Sequence, residues 1–487
     1  MKIKIAALSD THFSGSCPLP ERKAEIADIL LLRAVHRINR FIKPDVTLIL
    51  GDLVNDGAGP EGGEQLRRLR DITGLLKSPS IIIPGNHDGD IDAFYKILPR
   101  PEECTDIKGV RFLPFLDQEQ PGFNAVRSQR DIERMAEARS GHEGPIISLQ
   151  HVPLLPPDNR ECLYNLTNAS SVIDEMKRSR IKLAISGHYH PGCDTMRRSE
   201  GTFIVVPALC ESPFIFLEID VDGDDVDVKT HTLKLPSEAQ LFDWHVHTTF
   251  AYCSENMDIS RAIMLAREFG LEGLAFSEHS GHLYFDRSTY CDGRFLHEGI
   301  SAALPAHSRM ADYLSTGMPC PARRGLEVDS DFHGRLLAYP DDMNRVEFVI
   351  GAVHALPELL KPHPDKSRVA EEFLAITSRF LSSGIKVLAH PFRIFRRAGL
   401  EVPDRLFEPI ADMLLANGVA AEINFHTNEP ALDFLKLCLD RGVKIAFGSD
   451  AHNLYEVGEF APHLELLHNC GCDGNLNDIL LKPEAGS

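Results

Sequence analysis

Two Asp-x-His triplets stand near opposite ends of the chain, each directly after an apolar run. Asp10 and His12 close the run MKIKIAALSDTH, and Asp450 and His452 close the run KIAFGSDAH. Residues two apart in an extended strand point to the same side, so each pair can present a carboxylate and an imidazole to one metal ion. The pairs are therefore candidate metal ligands of one shared site, of an internal repeat or of two unrelated sites.

Polar groups recur at the ends of β-rich runs through the first half of the chain. They are Gly51-Asp52, Gly85-Asn86-His87-Asp88, His151 and Gly187-His188-Tyr189-His190. Loops at one edge of a sheet can converge on a small volume. Two divalent ions about 3.5–4 Å apart need such a set, namely a carboxylate that bridges, several imidazoles and an amide oxygen. The mixture of nitrogen and oxygen donors favours Mn²⁺, Fe or Zn²⁺ over Ca²⁺.

This series resembles the calcineurin-like metallophosphoesterase family, whose signature D-x-H, GD, GNH[D/E], H and GHxH is complete within about residues 1–235. The resemblance implies a four-layer αββα sandwich that binds two metal ions bridged by Asp52. For the first ion it implies the ligands Asp10, His12 and His190. For the second ion it implies Asn86, His151 and His188.

The same resemblance implies a reaction. A metal-activated hydroxide would attack phosphorus in line, and His87 would protonate the leaving alkoxide. The GNHD form looks most like the class III cyclic nucleotide phosphodiesterase branch. That branch acts on varied phosphodiesters, so the match leaves the substrate open.

A second set of polar residues follows strand-like runs in the other half of the chain. It opens with His245 and His247, and the other members are His279, Glu327, His354, His390, Asp450 and His452. The runs alternate with helix-like stretches, which predicts about seven parallel strands that present these residues at their carboxyl ends, as in a (β/α) barrel. Such a cluster would be costly to bury without a metal, because protonated imidazoles repel one another.

This half, about residues 241–470, resembles the PHP family (polymerase and histidinol phosphatase), a distorted (β/α)₇ barrel with up to three metals. The resemblance implies that Glu327 bridges two ions. For the first ion it implies the ligands His245, His247, Glu327 and Asp450. For the second ion it implies Glu327, His354 and His390, and for the third ion His279 and His452.

One position departs from the family pattern and another is open. Many family members complete the third site with a His or Asp, whereas TTFAYCSEN offers Cys253 or Glu255. Cys253 is the better aligned candidate, and it is either a thiolate ligand or an inert buried thiol. Arg393 is either a bidentate clamp for a substrate phosphate or a solvated surface residue.

Other residues are weaker candidates. We expect the segments 280–300 and 329–335, which carry His282, His297 and His333, to form lids over the barrel mouth. Glu422 could support the metal ligands from the end of its strand. Cys470 and Cys472 have no partner pair, which favours a surface turn over a zinc site.

Composition limits the protein class and its partners. Lys plus Arg number 51 against 71 for Asp plus Glu, a formal charge of −20, so no net basic field holds long nucleic acid. A local groove could still bind a short oligonucleotide. The 11 cysteines are scattered, and no secretory signal or 18-residue apolar run is present. These features predict a cytoplasmic protein with reduced thiols and no membrane segment.

The strand rhythm restarts after an acidic turn within about 221–240, which predicts a metallophosphoesterase domain at 1–236 and a PHP domain at 237–487. We interpret the chain as a bimodular hydrolase in which one site opens a small or nucleotide-like phosphodiester and the other cleaves a phosphomonoester. Two alternatives stay open. The barrel could trim short oligonucleotides, or one site could bind a nucleotide without turnover as a sensor.

Overall fold

The computed structural model describes residues 2–17, 19–302, 308–472 and 474–483. It divides into two compact units, residues 1–234 and 235–487. The boundary predicted from the sequence, between residues 236 and 237, lies close to this division. Within the described residues, no helix combines the length and the apolar character needed to cross a membrane.

The N-terminal unit is built from strands and a smaller number of helices. Its strands are β1 (Lys2–Leu8), β2 (Val46–Leu50), β3 (Ser80–Ile83), β4 (Thr105–Ile107), β5 (Val110–Pro114), β6 (Gln118–Gln120), β7 (Asn124–Val126), β8 (Ile146–Leu149), β9 (Leu183–Ser186), β10 (Met196–Arg197), β11 (Thr202–Val205), β12 (Ile215–Asp222) and β13 (Asp225–Thr232). Its α-helices are α1 (Ala27–Arg37), α2 (Gly62–Thr73), α3 (Ile91–Tyr95), α4 (Gln129–Arg139) and α5 (Ala169–Arg178), and a short π-helix (Ile38–Ile42) continues α1.

Two sheets pack face to face in this unit. The strand order is β13-β12-β1-β2-β3 in one sheet and β10-β11-β9-β8-β5-β4 in the other, while β6 and β7 form a separate hairpin. Ile5 of β1 and Leu48 of β2 share one buried cluster with Ile147 of β8 and Ile185 of β9. On its opposite face, the second sheet packs against helices α4 and α5. This layered α/β sandwich agrees with the predicted fold class.

The topology brings the polar groups of this unit to one edge. Strands β1, β2 and β3 pair in parallel, so their carboxyl ends, which precede Asp10, Asp52 and Asn86, lie side by side. Strands β8 and β9 are also parallel, and they precede His151 and His188. Five chain segments that are distant in sequence therefore deliver ligand-type side chains to neighbouring strand ends.

The C-terminal unit alternates strands with helices. Its strands are β14 (Phe242–Val246), β15 (Gly273–His279), β16 (Ala322–Asp329), β17 (Phe348–Ala352), β18 (Val387–Leu388), β19 (Ala420–Ile423) and β20 (Ile445–Phe447). Its α-helices are α6 (Ile259–Glu268), α7 (Ser280–Tyr284), α8 (Arg287–Asp292), α9 (Phe295–Glu298), α10 (Ser308–Ser315), α11 (Pro340–Met343), α12 (Lys366–Leu381), α13 (Arg393–Arg397), α14 (Phe407–Asn417), α15 (Leu432–Arg441) and α16 (Ala461–Asn469).

These strands form a nearly closed parallel barrel. They pair in the order β14-β15-β16-β17-β18-β19-β20, which is also their order along the chain. A parallel bridge between Val246 and Ala451 brings the end of the last strand back to the first. The parallel arrangement places the carboxyl ends of all seven strands at one mouth, as the sequence pattern predicts.

Short 3₁₀ helices connect several of these elements. They span Ala24–Ile26, Ser237–Ala239, Gly299–Ala302, Pro357–Leu360, Asp404–Leu406, Leu454–Glu456 and Leu476–Asp478.

The buried hydroxyl of Tyr313 ties helix α10 to the barrel. Its oxygen lies 2.6 Å from the carbonyl oxygen of Phe276 and 2.8 Å from that of Gly325, so its one proton is shared between two acceptors, and the side chain has no exposed surface. We expect Tyr313→Phe to lower the free energy of unfolding of the C-terminal unit by about 1–2 kcal/mol, because two buried carbonyls lose the donor that they share. The single tryptophan of the chain, Trp244, lies in β14, so its fluorescence during urea unfolding reports this unit alone.

Tyr339→Phe is the matched control. Tyr339 is 41% exposed, and its hydroxyl donates to the carbonyl of Ile300 at 3.3 Å. The control should change stability by less than about 0.5 kcal/mol. Equal effects of the two substitutions would contradict a special contribution from the Tyr313 hydroxyl.

Candidate metal centres

Asp10, His12 and His190 converge at the strand edge of the N-terminal unit. The Nε2 atoms of His12 and His190 lie 3.1 Å apart. Asp10 Oδ1 lies 3.4 Å from His190 Nε2 and 3.8 Å from His12 Nε2. Asp10 and His12 have no exposed surface. Three potential ligand atoms therefore face one another in a buried volume of the size that a single ion fills.

A second group converges beside the first. His151 Nε2 lies 3.2 Å from Asn86 Oδ1, 3.1 Å from His188 Nδ1 and 3.3 Å from Asp52 Oδ2. Asp52 Oδ2 also lies 3.5 Å from His12 Nε2 in the first group. Asp52 thus lies between the two groups, which is the position that a bridging carboxylate requires.

The outer nitrogens of the imidazoles determine which atoms can bind metal. His151 Nδ1 lies 2.6 Å from the carbonyl oxygen of Leu50, and His188 Nε2 lies 3.0 Å from the carbonyl oxygen of Phe123. A carbonyl can only accept a hydrogen bond, so each outer nitrogen carries the proton. The inner nitrogen of the neutral ring then presents a lone pair. The inner nitrogen of His151 faces the oxygens of Asn86 and Asp52, and the inner nitrogen of His188 lies beside it.

Glu211 has the same effect on His190. Its Oε1 atom lies 2.5 Å from His190 Nδ1 and orients the ring so that Nε2 faces His12. Burial lowers the pKa of His190, but Asp10 and Glu211 outweigh that effect and raise it to about 9. Glu211 was not among the residues predicted from the sequence, since it follows no strand and belongs to no recognised motif.

The donor set of both N-terminal groups fits divalent cations. The inner atoms are carboxylate oxygens, an amide oxygen and imidazole nitrogens, and Asp10 Oδ1 is buried without a hydrogen-bond partner among the described residues. Burial raises the pKa of the Asp52 carboxyl, but His151 and His12 hold it below its usual range. Against the effect of burial, Asp52 raises the pKa of His151 to about 10, so buried carboxylates this close to the rings require positive charge, either as ring protons or as bound cations that displace them.

His87 lies at the border of a cavity of about 260 Å³ that opens onto these groups. Its backbone N–H donates to Asp52 Oδ1 at 2.8 Å, and its Nδ1 lies 2.9 Å from the carbonyl oxygen of Asn55. Arg22, Phe123 and other aromatic residues also line the cavity, and none of them was predicted. They lie in loops without a recognisable signal in one sequence.

Two signature positions owe their glycine to this close approach. Gly51 has a φ of +95°, and a Cβ at Gly85 would overlap Asp52 Oδ1. The buried carboxyl of Asp88 accepts from the backbone N–H of Gly85 at 2.8 Å and of Val54 at 3.0 Å. The loop that carries Asn86 and His87 is thereby fixed to the end of β2.

Glu327 lies at the centre of the polar cluster in the barrel and has no exposed surface. Its Oε2 atom lies 2.5 Å from His279 Nδ1 and 3.5 Å from His245 Nε2. Its Oε1 atom lies 2.9 Å from His390 Nε2 and 3.3 Å from His354 Nε2. One carboxylate therefore faces two groups of imidazoles, with one oxygen toward each.

Asp450 completes the first of these groups. Its Oδ1 atom lies 3.0 Å from His247 Nε2 and 3.5 Å from His245 Nε2. Carboxylates also meet the outer ring nitrogens: His245 Nδ1 lies 2.8 Å from Glu422 Oε1, and His247 Nδ1 lies 3.3 Å from Glu278 Oε1. These outer partners hold one proton of each ring outside the cluster, so the inner nitrogens are the atoms that face a metal ion.

The first barrel group fits a divalent cation. His245 Nε2, His279 Nδ1 and Glu327 Oε2 are buried and close to one another, but none of them makes a hydrogen bond of good geometry in the described part of the chain. Burial raises the pKa of the Glu327 carboxyl, but His279 and His245 hold it well below its usual range. Desolvation lowers the pKa of His245, but Asp450, Glu422 and Glu327 outweigh it and raise that pKa, so carboxylates and rings share one buried volume in which a cation can replace ring protons.

The residues predicted for a third barrel ion lie on the far side of His247. Potential ligand atoms of His247, His279 and His452 fall within 4.8 Å of one another. Cys253 Sγ lies 3.6 Å from His279 Nε2. The residue as a whole is exposed, but desolvation around the sulfur, reinforced by Glu278, raises the thiol pKa to about 12. A thiolate there would therefore require a metal to displace the proton.

The second barrel group has a different occupant. Nη2 of Arg393 lies 2.8 Å from His354 Nε2 and 2.7 Å from His390 Nε2, and Nη1 lies 2.5 Å from Asp450 Oδ2. Arg393 is 5% exposed, so it is not a solvated surface arginine. With the guanidinium in this position, the residues predicted for the second ion do not fit that ion.

The weaker candidates have separate positions. His282 Nδ1 accepts from the N–H of Tyr252 at 3.1 Å, and potential ligand atoms of Cys253, His279 and His282 lie within 4.8 Å of one another. His297 lines the barrel cavity, whereas His333 is exposed. Cys470 and Cys472 are free thiols.

A cavity of about 1030 Å³ adjoins the barrel cluster. Its lining includes ligand candidates such as His279 and His354, together with aromatic and basic residues. The latter are Tyr252, Tyr290, Phe295, Tyr455, Arg287, Arg294, Arg393 and Arg397. The barrel site thus has room for a substrate considerably larger than a phosphate ion.

The comparisons with known proteins match separate parts of the chain. Residues 3–192 match the family model described as calcineurin-like phosphoesterase. A protein of Xenorhabdus bovienii named "Probable cyclic nucleotide phosphodiesterase" is 24% identical over 207 residues, which cover 39% of this chain and 78% of that protein. An Arcobacter nitrofigilis protein named "Probable glycerophosphodiester phosphodiesterase" is 31% identical over 84 residues, 17% of this chain and 29% of that protein.

Two solved structures are similar to parts of this chain. A dimetal phosphatase from Danio rerio has a TM-score of 0.38 at 14% identity and covers 47% of this chain and 98% of its own. For the C-terminal part, a histidinol phosphate phosphatase from Lactococcus lactis, solved with zinc, L-histidinol and phosphate, has a TM-score of 0.32 at 17% identity and covers 48% of this chain and 94% of its own.

The contact between Glu211 and His190 predicts that Glu211 affects metal binding although it does not itself belong to the candidate ligands. We expect Glu211→Ala to weaken binding of the more tightly held Zn²⁺ ion of the N-terminal site by about 10- to 100-fold, because His190 loses the acceptor that orients its ring. Competition with a chromophoric chelator measures the affinity. Glu133→Ala, an exposed change on α4, should leave it unchanged. Identical affinities for the two variants would contradict an orienting role for Glu211.

Proposed function

We propose that this chain, which carries a calcineurin-like phosphoesterase domain at residues 3–192, is a bimodular metal-dependent phosphoesterase with one hydrolytic site in each unit. One observation supports the proposal above the others. Each unit buries its own set of converging carboxylate oxygens and imidazole lone pairs, centred on Asp52 in one and on Glu327 in the other. Such sets bind the divalent ions that phosphate ester hydrolysis uses.

The N-terminal site suits a phosphodiester. Divalent ions held there would acidify a water molecule and neutralise the charge that develops on phosphorus. His87 lines the cavity, and its Nδ1–H donates a hydrogen bond to the carbonyl of Asn55. In its imidazolium form, His87 can then give its Nε2 proton to the alkoxide that leaves when the P–O bond breaks. Arg22 lines the same cavity and can pair with a non-bridging phosphate oxygen.

The entrance to this cavity favours a nucleotide-like diester. The ring of Phe123 is 63% exposed and meets Tyr164 edge to face, with centroids 5.9 Å apart. Tyr164 contacts the His188 ring at 5.1 Å and the Tyr189 ring at 5.9 Å. An aromatic surface that begins at a candidate metal ligand and ends in solvent can stack a nucleobase while its phosphate reaches the ligands.

The barrel site suits a phosphomonoester, such as the product of the first reaction. Its first ligand group, His245, His247, Glu327 and Asp450, can bind an ion that assists attack on phosphorus. The adjoining cavity of about 1030 Å³ can hold a mononucleotide. The two activities would form a sequence in which the diester becomes a monoester and then orthophosphate.

A second candidate for the barrel is removal of nucleotides from short oligonucleotides. The observation that favours it is the combination of tyrosines and arginines in the cavity, because stacking and phosphate contacts together hold single strands. Mononucleotides and oligonucleotides of two to five units, tested as substrates of the same preparation, separate the two candidates. Release of orthophosphate from the mononucleotide alone supports the phosphatase, whereas shortening of the oligonucleotide supports trimming.

The two-step hypothesis predicts a separable second reaction. With a cyclic nucleotide as substrate, wild type should release orthophosphate, whereas the double variant Asp450→Ala, His452→Ala should accumulate the monoester and release at least tenfold less orthophosphate. Chromatography of the nucleotides and a phosphate assay follow both products. A double variant of exposed residues, His363→Ala with Asp404→Ala, is the matched control and should behave as wild type. Equal orthophosphate from wild type and the Asp450→Ala, His452→Ala variant would exclude the sequence of reactions.

The aromatic entrance predicts a substrate-dependent effect. We expect Phe123→Ala to raise KM for a cyclic nucleotide by about tenfold, since base stacking on an aromatic ring contributes about 1–3 kcal/mol. The KM for a glycerophosphodiester, which has no base, should stay within twofold. Leu163 is 82% exposed and does not line the cavity, so Leu163→Ala is the control. A parallel rise in KM for both substrates would indicate a general defect and contradict base stacking.

A further inference from the structure

The guanidinium of Arg393 lies where two candidate metal ligands of the barrel converge. One nitrogen, Nη2, contacts both His354 Nε2 and His390 Nε2, and the other, Nη1, contacts Asp450 Oδ2. A guanidinium can only donate hydrogen bonds, so each contacted atom must be an acceptor. The same lone pairs that would bind a second ion are therefore already engaged by a cation of the chain itself.

The surrounding contacts gather further charge at this position. The Nδ1 atom of His354 contacts the Asp329 carboxylate, which holds a ring proton on that side. His390 Nε2 also lies 2.9 Å from Glu327 Oε1, one of the carboxylate oxygens that a metal would neutralise. Arg393 thus supplies positive charge to a cluster that includes Glu327 and Asp450, both fully buried.

We propose that Arg393 is a built-in competitor of the second barrel ion: the guanidinium and that ion exclude each other, so Arg393 sets how many ions the barrel binds. The first ligand group contacts Arg393 only through Asp450 Oδ2, whereas its inward oxygen is Oδ1. The first ion can therefore bind while the guanidinium stays in place. Binding of the second ion requires that Nη2 leave His354 and His390.

The structure provides a route for that departure. Arg393 Nε is buried without a hydrogen-bond partner among the described residues, so the inward position leaves one donor unsatisfied. Arg393 also lines the cavity of about 1030 Å³, so a change of side-chain rotamer alone can carry the guanidinium into it. The N–H of Arg393 donates to the carbonyl of His390 at 3.0 Å, which holds the backbone of this turn. In the cavity the guanidinium would meet the phosphate of a substrate.

Metal counting on the full chain tests this inference, which rests on the proposal that the barrel binds metal. After chelation, wild type, Arg393→Met, Arg396→Met and Asp450→Ala are dialysed against a series of Mn²⁺ concentrations, and bound metal is measured by mass spectrometry. Methionine fills similar volume but provides neither charge nor N–H. We expect Arg393→Met to bind one more ion per chain than wild type at limiting Mn²⁺, or its weakest ion at least tenfold more tightly. Arg396 is exposed on the same helix, and Arg396→Met should match wild type.

The outcomes separate the inference from the proposed function. If Arg393→Met and wild type bind equally, and both bind more than Asp450→Ala, the barrel binds metal but Arg393 does not compete, and the inference is overturned. If all variants match Asp450→Ala, the barrel binds no metal, and both the inference and the barrel activity fail. Trp244 fluorescence verifies that the barrel of each variant is folded.

A measurement on wild type avoids substitution altogether. Phenylglyoxal modifies accessible arginines, and Arg393 is 5% exposed. We expect saturating Mn²⁺, in a buffer without phosphate, to increase modification of Arg393 at least fivefold, while Arg396 reacts equally with and without metal. Fragmentation of the peptide identifies the modified residue. Protection of Arg393 at saturating Mn²⁺ would overturn the inference even if the methionine variant did not fold.

Discussion

Glu327 carries a negative charge with no exposed surface, and the polar interior of the barrel is arranged around that charge. An isolated buried carboxylate is unfavourable by several kcal/mol, so positive charge must be close to it. His279 and His245 face one of its oxygens and His390 and His354 face the other. Against the effect of burial, the surrounding carboxylates raise the pKa of His245 and His354, so that without a bound ion these rings carry part of the positive charge. Metal ions and the Arg393 guanidinium are alternative sources of the missing charge, which explains why they share one position.

Both units place such ligands by the same local geometry. Asp10, Asp52 and Asp450 each follow a strand and have left-handed φ values of 54°, 52° and 54°. For residues with a side chain this conformation is unfavourable by about 1–3 kcal/mol, and it persists where surrounding contacts enforce it. The N–H of Asp10 donates to the carbonyl of Gly51 at 3.0 Å, and that of Asp450 to the carbonyl of His245 at 2.7 Å. Each strand end is thus fixed to its neighbour, and the carboxylate turns into the site.

The sequence predicts the fold class, and it brings most of the candidate ligands to neighbouring strand ends, because each follows an apolar strand and parallel pairing fixes its neighbours. Outer partners are harder to predict. Glu422 ends a strand and was recognised as a possible support, whereas Glu211 lies in a loop and the carbonyls of Leu50 and Phe123 have no side-chain signal at all. The position of Arg393 depends on rotamer and burial, so the sequence left a phosphate clamp and a surface residue equally open.

The two Asp-x-His pairs that mark the ends of this inventory differ in function at the atomic level. His12 turns its Nε2 inward to face His190 and Asp52, so both members of the first pair serve one cluster. His452 instead places Nδ1 at 2.7 Å from the carbonyl of Asp450, and its ring lies against His247 on the far side of the first barrel group. Spacing brings an aspartate and a histidine to one strand end, but the orientation of the ring decides which group the imidazole joins, and only for His452 does a hydrogen bond on Nδ1 fix that orientation. A shared motif therefore predicts metal binding in both units without predicting a shared ligand pattern.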